Sequence, residues 1–173
     1  EVYDIYVTKD HLEAFETFEV REIPENSLKK ISALQKPSGV LGVFKMPKMI
    51  VPSVKDWVLV LDNVRDPGNL GTVIRLCDWF GIHHLVCSKG TVDCYNPKVL
   101  QATMGSIARV NVTYQDVPQF LSECTLPIYG AFMDGETVYQ EQLPNAGVLV
   151  MGNEANGVSP TVTDLIKKKI SIP

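Results

Sequence analysis

Three short stretches of this chain hold residue types whose spacing suits chemistry. The first is Asn63-Val64-Arg65-Asp66-Pro67-Gly68-Asn69-Leu70-Gly71-Thr72-Val73-Ile74-Arg75, directly after the apolar run Val58–Leu61. It places a carboxamide, Asn69, at a helix start and a guanidinium, Arg75, between Ile74 and Leu76. The second runs from Val148-Leu149-Val150-Met151 into Gly152-Asn153-Glu154-Ala155-Asn156-Gly157, and the third is Ile170-Ser171-Ile172-Pro173. A guanidinium can grip a phosphate in two places, which an ammonium cannot. Glycines at a strand's C-terminal end let a ligand come close to the backbone, where open α/β sheets bind their ligands. The turn before Asn69 has the glycine spacing of neither GxGxxG nor GxxxxGK[ST]. Together with the lack of an acidic residue after Val86-Cys87-Ser88, this counts against a dinucleotide-dependent enzyme. A lone glutamate, Glu154, makes no carboxylate pair for hydrolysis.

Taken in order, the three stretches resemble the motifs of the SpoU-type (TrmH-like) RNA ribose 2′-O-methyltransferases, a branch of the knotted SPOUT superfamily. The family's first motif carries an Asn and, six residues on, an Arg, here Asn69 and Arg75. Its second is a strand followed by Gly-x-Glu and a further Gly, here Gly152, Glu154 and Gly157. Its third begins with Ser-Ile-Pro, here Ser171 to Pro173. The resemblance covers residues from Trp57 onward. It implies S-adenosylmethionine as cofactor, RNA as substrate (ribosomal in preference to transfer RNA), a ribose 2′-hydroxyl as methyl acceptor, and a homodimer whose site lies at the subunit interface. It also implies a trefoil knot, which sequence pattern alone does not. In the family the third motif continues into a Gly-containing loop and a Ser-Leu-Asn helix. The sequence ends before both, so the domain is expected to be truncated there.

Residue by residue, the resemblance makes Arg75, Asn69 and Glu154 the candidate catalytic set. Arg75 would hold the target nucleotide's phosphate and stabilise the developing alkoxide, with the proton's acceptor left open, because arginine is effectively always protonated. The competing reading is a surface arginine paired with Asp78 at i+3. Asn69 also reads as a cap of the helix it precedes, and Glu154 as a group holding the loop or Arg75, or as a solvated loop carboxylate. The candidate cofactor-binding residues are Met151, Gly152, Asn153 and Gly157 with Ile170, Ile172 and Pro173. A non-catalytic RNA-binding or ribosome-assembly module on the same fold is the alternative function.

Charge distribution adds a candidate RNA surface. The net charge is −4, which argues against a protein held to nucleic acid by its overall field. Residues 1–25 hold eight acids and two bases, whereas 26–55 hold six lysines and no acid. Lys29, Lys30 and Lys36, with Arg75, are therefore the candidate RNA-binding residues; a solvated lysine-rich face is the plainer reading. Lys167-Lys168-Lys169 reads as cations complementing a helix end. The four cysteines have no CxxC pair and read as buried thiols of a reducing cytoplasm. His83-His84 with Cys87 is read as a turn before a strand, and no metal is expected. No apolar run reaches the ~18 residues of a membrane span.

Those residues need elements to position them. Residues 1–45 read as strand (Tyr3–Val7), helix (Lys9–Phe15), strand (Thr17–Arg21), helix (Glu25–Leu34) and strand (Val40–Phe44). They resemble the C-terminal part of a small α+β RNA substrate-binding domain, and the lack of an initial Met suggests that a piece precedes Glu1. Residues 46–56, with Pro47 and Pro52, read as a linker. Residues 57–173 alternate strands (58–62, 84–87, 110–113, 127–132, 148–152, 169–172) with helices (69–80, 97–108, 116–124, 160–168). Asn96-Pro97 and Ser159-Pro160 are helix starts, and Gly81 is a helix stop. Such alternation implies an α/β fold, a mostly parallel sheet with helices on both faces.

Overall fold

An unbroken apolar run such as Val58–Leu61 has no polar side to offer water, so its strand needs cover on both faces. The computed structural model, which describes residues 1–48, 50 and 55–172, supplies that cover. Six strands form one sheet: β4 (Val58–Leu61), β5 (His84–Ser88), β6 (Asn111–Gln115), β7 (Ile128–Thr137), β8 (Val148–Met151) and β9 (Lys168–Ser171). Their order is β6-β5-β4-β8-β7-β9, and every neighbouring pair is parallel. Side chains alternate across a strand, and the core divides accordingly. Leu59, Leu61, Leu85 and Cys87 pack with Leu70, Ile74 and Cys77 of α2 (Pro67–Trp79) and Val99 of α3 (Pro97–Thr103). On the other face, Val58, Val60, Val86, Val148 and Val150 pack with Val117 and Leu121 of α4 (Val117–Glu123) and Val162 of α5 (Pro160–Thr163). Both faces of a parallel sheet are thus sealed by helices, the architecture the alternation implies.

Helix boundaries follow local chemistry. At Gly81 the chain takes φ +69° and α2 stops. α3 is shorter than the expected 97–108, because Met104 and Gly105 both take left-handed backbone, a helix C-terminal turn. Only a single 3-10 turn, Ser106–Ala108, follows. α5 ends at Thr163 and not at 168. The Lys167 N–H donates to the Ile128 carbonyl and draws the chain into the sheet. Lys168 and Lys169 consequently lie in β9, where they pair with Glu136, Glu141 and Asp134 and do not complement a helix end.

Burial holds the Cys77 thiol up at about 12, far from reactive thiolate. Cys87 and Cys94 are buried free thiols, and Cys124 is half-buried.

Residues Glu1–Lys48 make a compact unit of their own. β1 (Val2–Val7) lies between β2 (Arg21–Glu22) and β3 (Val40–Phe44). α1 (Glu25–Ile31) buries Leu28, and Ile5 and Val7 of β1 are buried as well. The strand expected at Thr17–Arg21 is the two-residue β2, because Phe18 is held in a turn by the Phe15 carbonyl. The helix expected to Leu34 ends at Ile31. Ser32 turns extended and its hydroxyl accepts from the Leu34 N–H, a local bond that competes with the helix. Of the expected linker 46–56, residues 49 and 51–54 lie outside the described residues.

Candidate functional site: the carboxyl ends of β4, β5 and β8

The three central strands end side by side, and their loops are tied together by side chains. Asp66 caps α2, its carboxylate accepting from the Asn69 N–H at 2.8 Å, with Pro67 in the first turn. This corrects the expectation that Asn69 is the cap. Asp66-Pro67 is the same cap-then-proline signal as Asn96-Pro97 and Asp116-Val117-Pro118, whose side chains do cap their helices. With capping done by Asp66, the Asn69 carboxamide points elsewhere. Its Nδ2 donates to Glu154 Oε1 at 2.8 Å, across 85 positions of sequence. Glu154 Oε2 accepts from Asn153 Nδ2 at 3.3 Å. Asn69, Asn153 and Glu154 therefore form one cluster, joining the first motif to the second.

The Gly152–Gly157 loop closes on itself. Asn153 and Gly157 exchange two backbone hydrogen bonds, 2.9 and 2.8 Å, and Asn153 Oδ1 accepts from the N–H groups of Ala155 and Asn156. A Cβ on Gly152 would run into the backbone of Gly157 and Val158. Glycine there is demanded by the loop's own closure, whatever else approaches it. Gly157 takes φ +66° with open space where a Cβ would stand, so a ligand can reach the backbone at that point.

Arg75 lies six residues beyond Asn69, about 9 Å along the helix and roughly 240° round it. It is exposed and has no hydrogen bond or ion pair among the described residues. The competing pairing with Asp78 fails, since Asp78 is gripped by Arg109 through three N–H···O contacts of 2.6–2.9 Å. Those hydrogen bonds hold the Asp78 carboxyl below the usual carboxylate range. Nor does Glu154 hold Arg75; it holds Asn69.

The candidate cofactor residues do not all meet. Met151 and the Gly152–Gly157 loop end β8, but β7 lies between β8 and β9, so Ile170 and Ile172 sit about 10 Å away across the sheet. Ile170 is buried, Ile172 is 78% exposed, and Pro173 lies outside the described residues. At the end of β8, the partly exposed apolar Met151 and the approachable backbone at Gly157 offer a ligand both an apolar contact and polar backbone groups. Among the described residues no His, Cys, Asp and Glu side chains gather as a metal site. Lys29, Lys30 and Lys36 belong to the Glu1–Lys48 unit; Lys29 is paired with Glu25 at 2.7 Å.

Sequence reasoning missed Asp62 and Asn63. Asp62, 3% exposed, accepts the Ser159 N–H at 2.8 Å and the Asn63 side chain at 2.8 Å. The Asn63 carbonyl accepts from Asn153 Nδ2 at 2.8 Å, and its N–H donates to Ser88 Oγ at 2.9 Å. The available signal was an acid directly after a wholly apolar strand. Ser159 was expected to cap α5 with its side chain; it makes no such bond, its N–H serving Asp62.

Comparison with known proteins agrees with this fold. Residues 56–173 match the model of the SpoU rRNA Methylase family. The chain is 29% identical over 156 residues to the 23S rRNA (guanosine(2553)-2′-O)-methyltransferase RlmP of Bacillus subtilis, covering 87% of this chain and 62% of that protein. It thus spans less than two thirds of that relative's length. A putative RNA methyltransferase of the TrmH family from Porphyromonas gingivalis superposes with a TM-score of 0.89 at 39% identity, over 99% of this chain and 73% of that one. An AdoMet-bound rRNA methyltransferase from Sinorhizobium meliloti shares the fold, with a TM-score of 0.83 at 24% identity over 99% of this chain and 71% of that one. With residues 56–173 matching that model and a parallel six-stranded sheet beneath them, the chain belongs to the SpoU rRNA Methylase family.

Proposed function

We propose that this protein is an S-adenosylmethionine-dependent methyltransferase acting on a ribose 2′-hydroxyl of RNA, ribosomal in preference to transfer RNA. The observation that carries the reading is the 2.8 Å bond from Asn69 to Glu154, which joins two separate motifs at the end of the sheet where ligands of such folds bind. Membership of the family, and the activity named for the B. subtilis relative, support the chemistry. When bound, S-adenosylmethionine supplies a methyl group already activated by its sulfonium charge. The protein's part is then orientation and electrostatics. Met151, Gly152, Asn153 and Gly157 would hold the cofactor, with Ile170 and Ile172 contributing from β9 and the residue after it, one strand further across the sheet, and Pro173 following in sequence. Arg75 would hold the substrate phosphate and steady the negative charge that develops on the 2′-oxygen. Asn69 and Glu154 would fix the distance between the two loops.

The same reading includes a homodimer with a site at the subunit interface. Its support is an exposed apolar face beside Arg75: Leu76 and Trp79 on α2 with Phe80 directly after it, Trp79 84% and Phe80 70% exposed. These positions share one helix face, and a second copy would cover it. Exposed Lys30 and Lys36 would add RNA affinity. A cytoplasmic location fits the buried free thiols. No described helix is long and apolar enough to cross a membrane.

The test is methylation by the full-length protein of ribosomal RNA from cells lacking its gene, with labelled S-adenosylmethionine and mapping of the modified nucleotide. A 2′-O-methyl group appearing at one position is the expected result. Methyl transfer to a base, or none to any RNA, would overturn the reading.

A further inference from the structure

Asp62 is an ionisable side chain placed where β4 leaves the apolar core, almost wholly out of water. A buried carboxylate is tolerated only when its oxygens are hydrogen-bonded, and here each oxygen serves a different loop. Oδ1 takes the Asn63 side chain on the turn leading to α2. Oδ2 takes the Ser159 backbone N–H, the far end of the loop that begins at Gly152. That loop's near end is held from the same turn, by Asn153 to the Asn63 carbonyl, and from the first turn of α2, by Asn69 to Glu154. The backbone adds one more tie, the Asp62 N–H to the Met151 carbonyl at 2.9 Å. Between these anchors the loop must make its tight Asn153–Gly157 closure. A loop fixed at both ends loses less conformational freedom when a ligand binds.

We infer that Asp62 is a positioning residue for the cofactor: its carboxylate pins the exit of the Gly152–Gly157 loop at Ser159 and so pre-forms the surface on which S-adenosylmethionine binds. The inference rests on the reading of that loop as the cofactor loop. Asp62 touches neither substrate nor cofactor in this role; it acts through the Ser159 N–H. An apolar residue of similar size would fill the space but leave that N–H without its acceptor. Asn would present a carboxamide N–H₂ to one of two donors.

Two variants of the full-length protein remove the bond from opposite ends. Asp62→Asn weakens the acceptor. Ser159→Pro deletes the donor at a residue whose φ of −63° is already that of proline. Calorimetric titration with S-adenosylmethionine should show the dissociation constant raised about tenfold or more in each, the scale of one hydrogen bond to a charged group. The double variant should be little weaker than the weaker single, since both remove one interaction. In turnover, KM for S-adenosylmethionine should rise by more than kcat falls. A merely structural role predicts the opposite split, a lower melting temperature and active fraction with KM unchanged. Folded variants with parental cofactor affinity would overturn the inference. Gly152→Ala, which must open the loop, separates the two levels. If it loses cofactor binding while Asp62→Asn keeps it, only the role of Asp62 falls. If it too binds normally, the cofactor loop itself is misassigned.

Discussion

At the scale of single residues, the informative contrast is between Arg75 and Arg109. Arg109 is spent on Asp78 in a two-pronged pair. Arg75, four residues before Trp79 on the same helix, is exposed beside apolar neighbours. Surface charge kept apart from structural pairing suits a group reserved for a ligand. Replacing Arg75 with Ala is therefore expected to cost the fold little, because no ion pair among the described residues is removed. Turnover in the full-length protein should fall roughly 10²-fold or more, the scale of removing one preorganised electrostatic group. S-adenosylmethionine affinity should change by no more than a few-fold. Arg75→Lys should restore little, since an ammonium lacks the planar fork. Single-turnover methylation at saturating cofactor and RNA is the deciding measurement, and a near-parental rate for Arg75→Ala would remove Arg75 from the site.

Elements decide where such residues can meet. α2 carries the capped first turn with Asn69 on one side and, two turns on, the apolar surface of Leu76 and Trp79, with Phe80 directly after it. Leu70, Ile74 and Cys77 on its inner face are buried under the sheet, so the outer apolar surface is not needed for the fold of one chain. Aromatic side chains of this exposure recur in interface cores. If a second copy covers the face, Trp79→Glu should turn a dimer into a monomer, read as a halved mass by light scattering. Circular dichroism should remain that of the parent, because Trp79 packs against nothing essential within the subunit. A variant that stays dimeric would place the subunit interface elsewhere.

For the whole molecule, charge is the term that sequence totals conceal. The lysines of residues 26–55 stand in a chain of net charge −4, and two of them are already neutralised locally, Lys29 by Glu25 and Lys45 by Glu1. Lys30 and Lys36 are exposed and better placed to meet phosphates. Neutralising both, as Lys30→Gln with Lys36→Gln, should weaken binding of every RNA alike. The slope of log affinity against log salt should flatten by up to about one unit for each phosphate that a lysine no longer neutralises. An unchanged slope would make this an ordinary solvated surface.

Much of this protein was legible in its sequence because the signals are local. Alternating apolar runs specify a doubly covered parallel sheet; Asn96-Pro97 and Gly81 mark helix ends through their own backbone chemistry. Even the Asp66 cap was legible, by the rule that identifies Asn96. Tertiary structure decided what local signals cannot hold. The pull of β7 on Lys167 converted a basic helix end into a strand. The bond from Asn69 to Glu154 spans 85 positions, and that from Asp62 to Ser159 spans 97. Neither partner's neighbours in sequence specify the other. Only the adjacency of β4 and β8, set by burying two apolar faces at once, brings their ends together, and with them the carboxylate and the loop it holds.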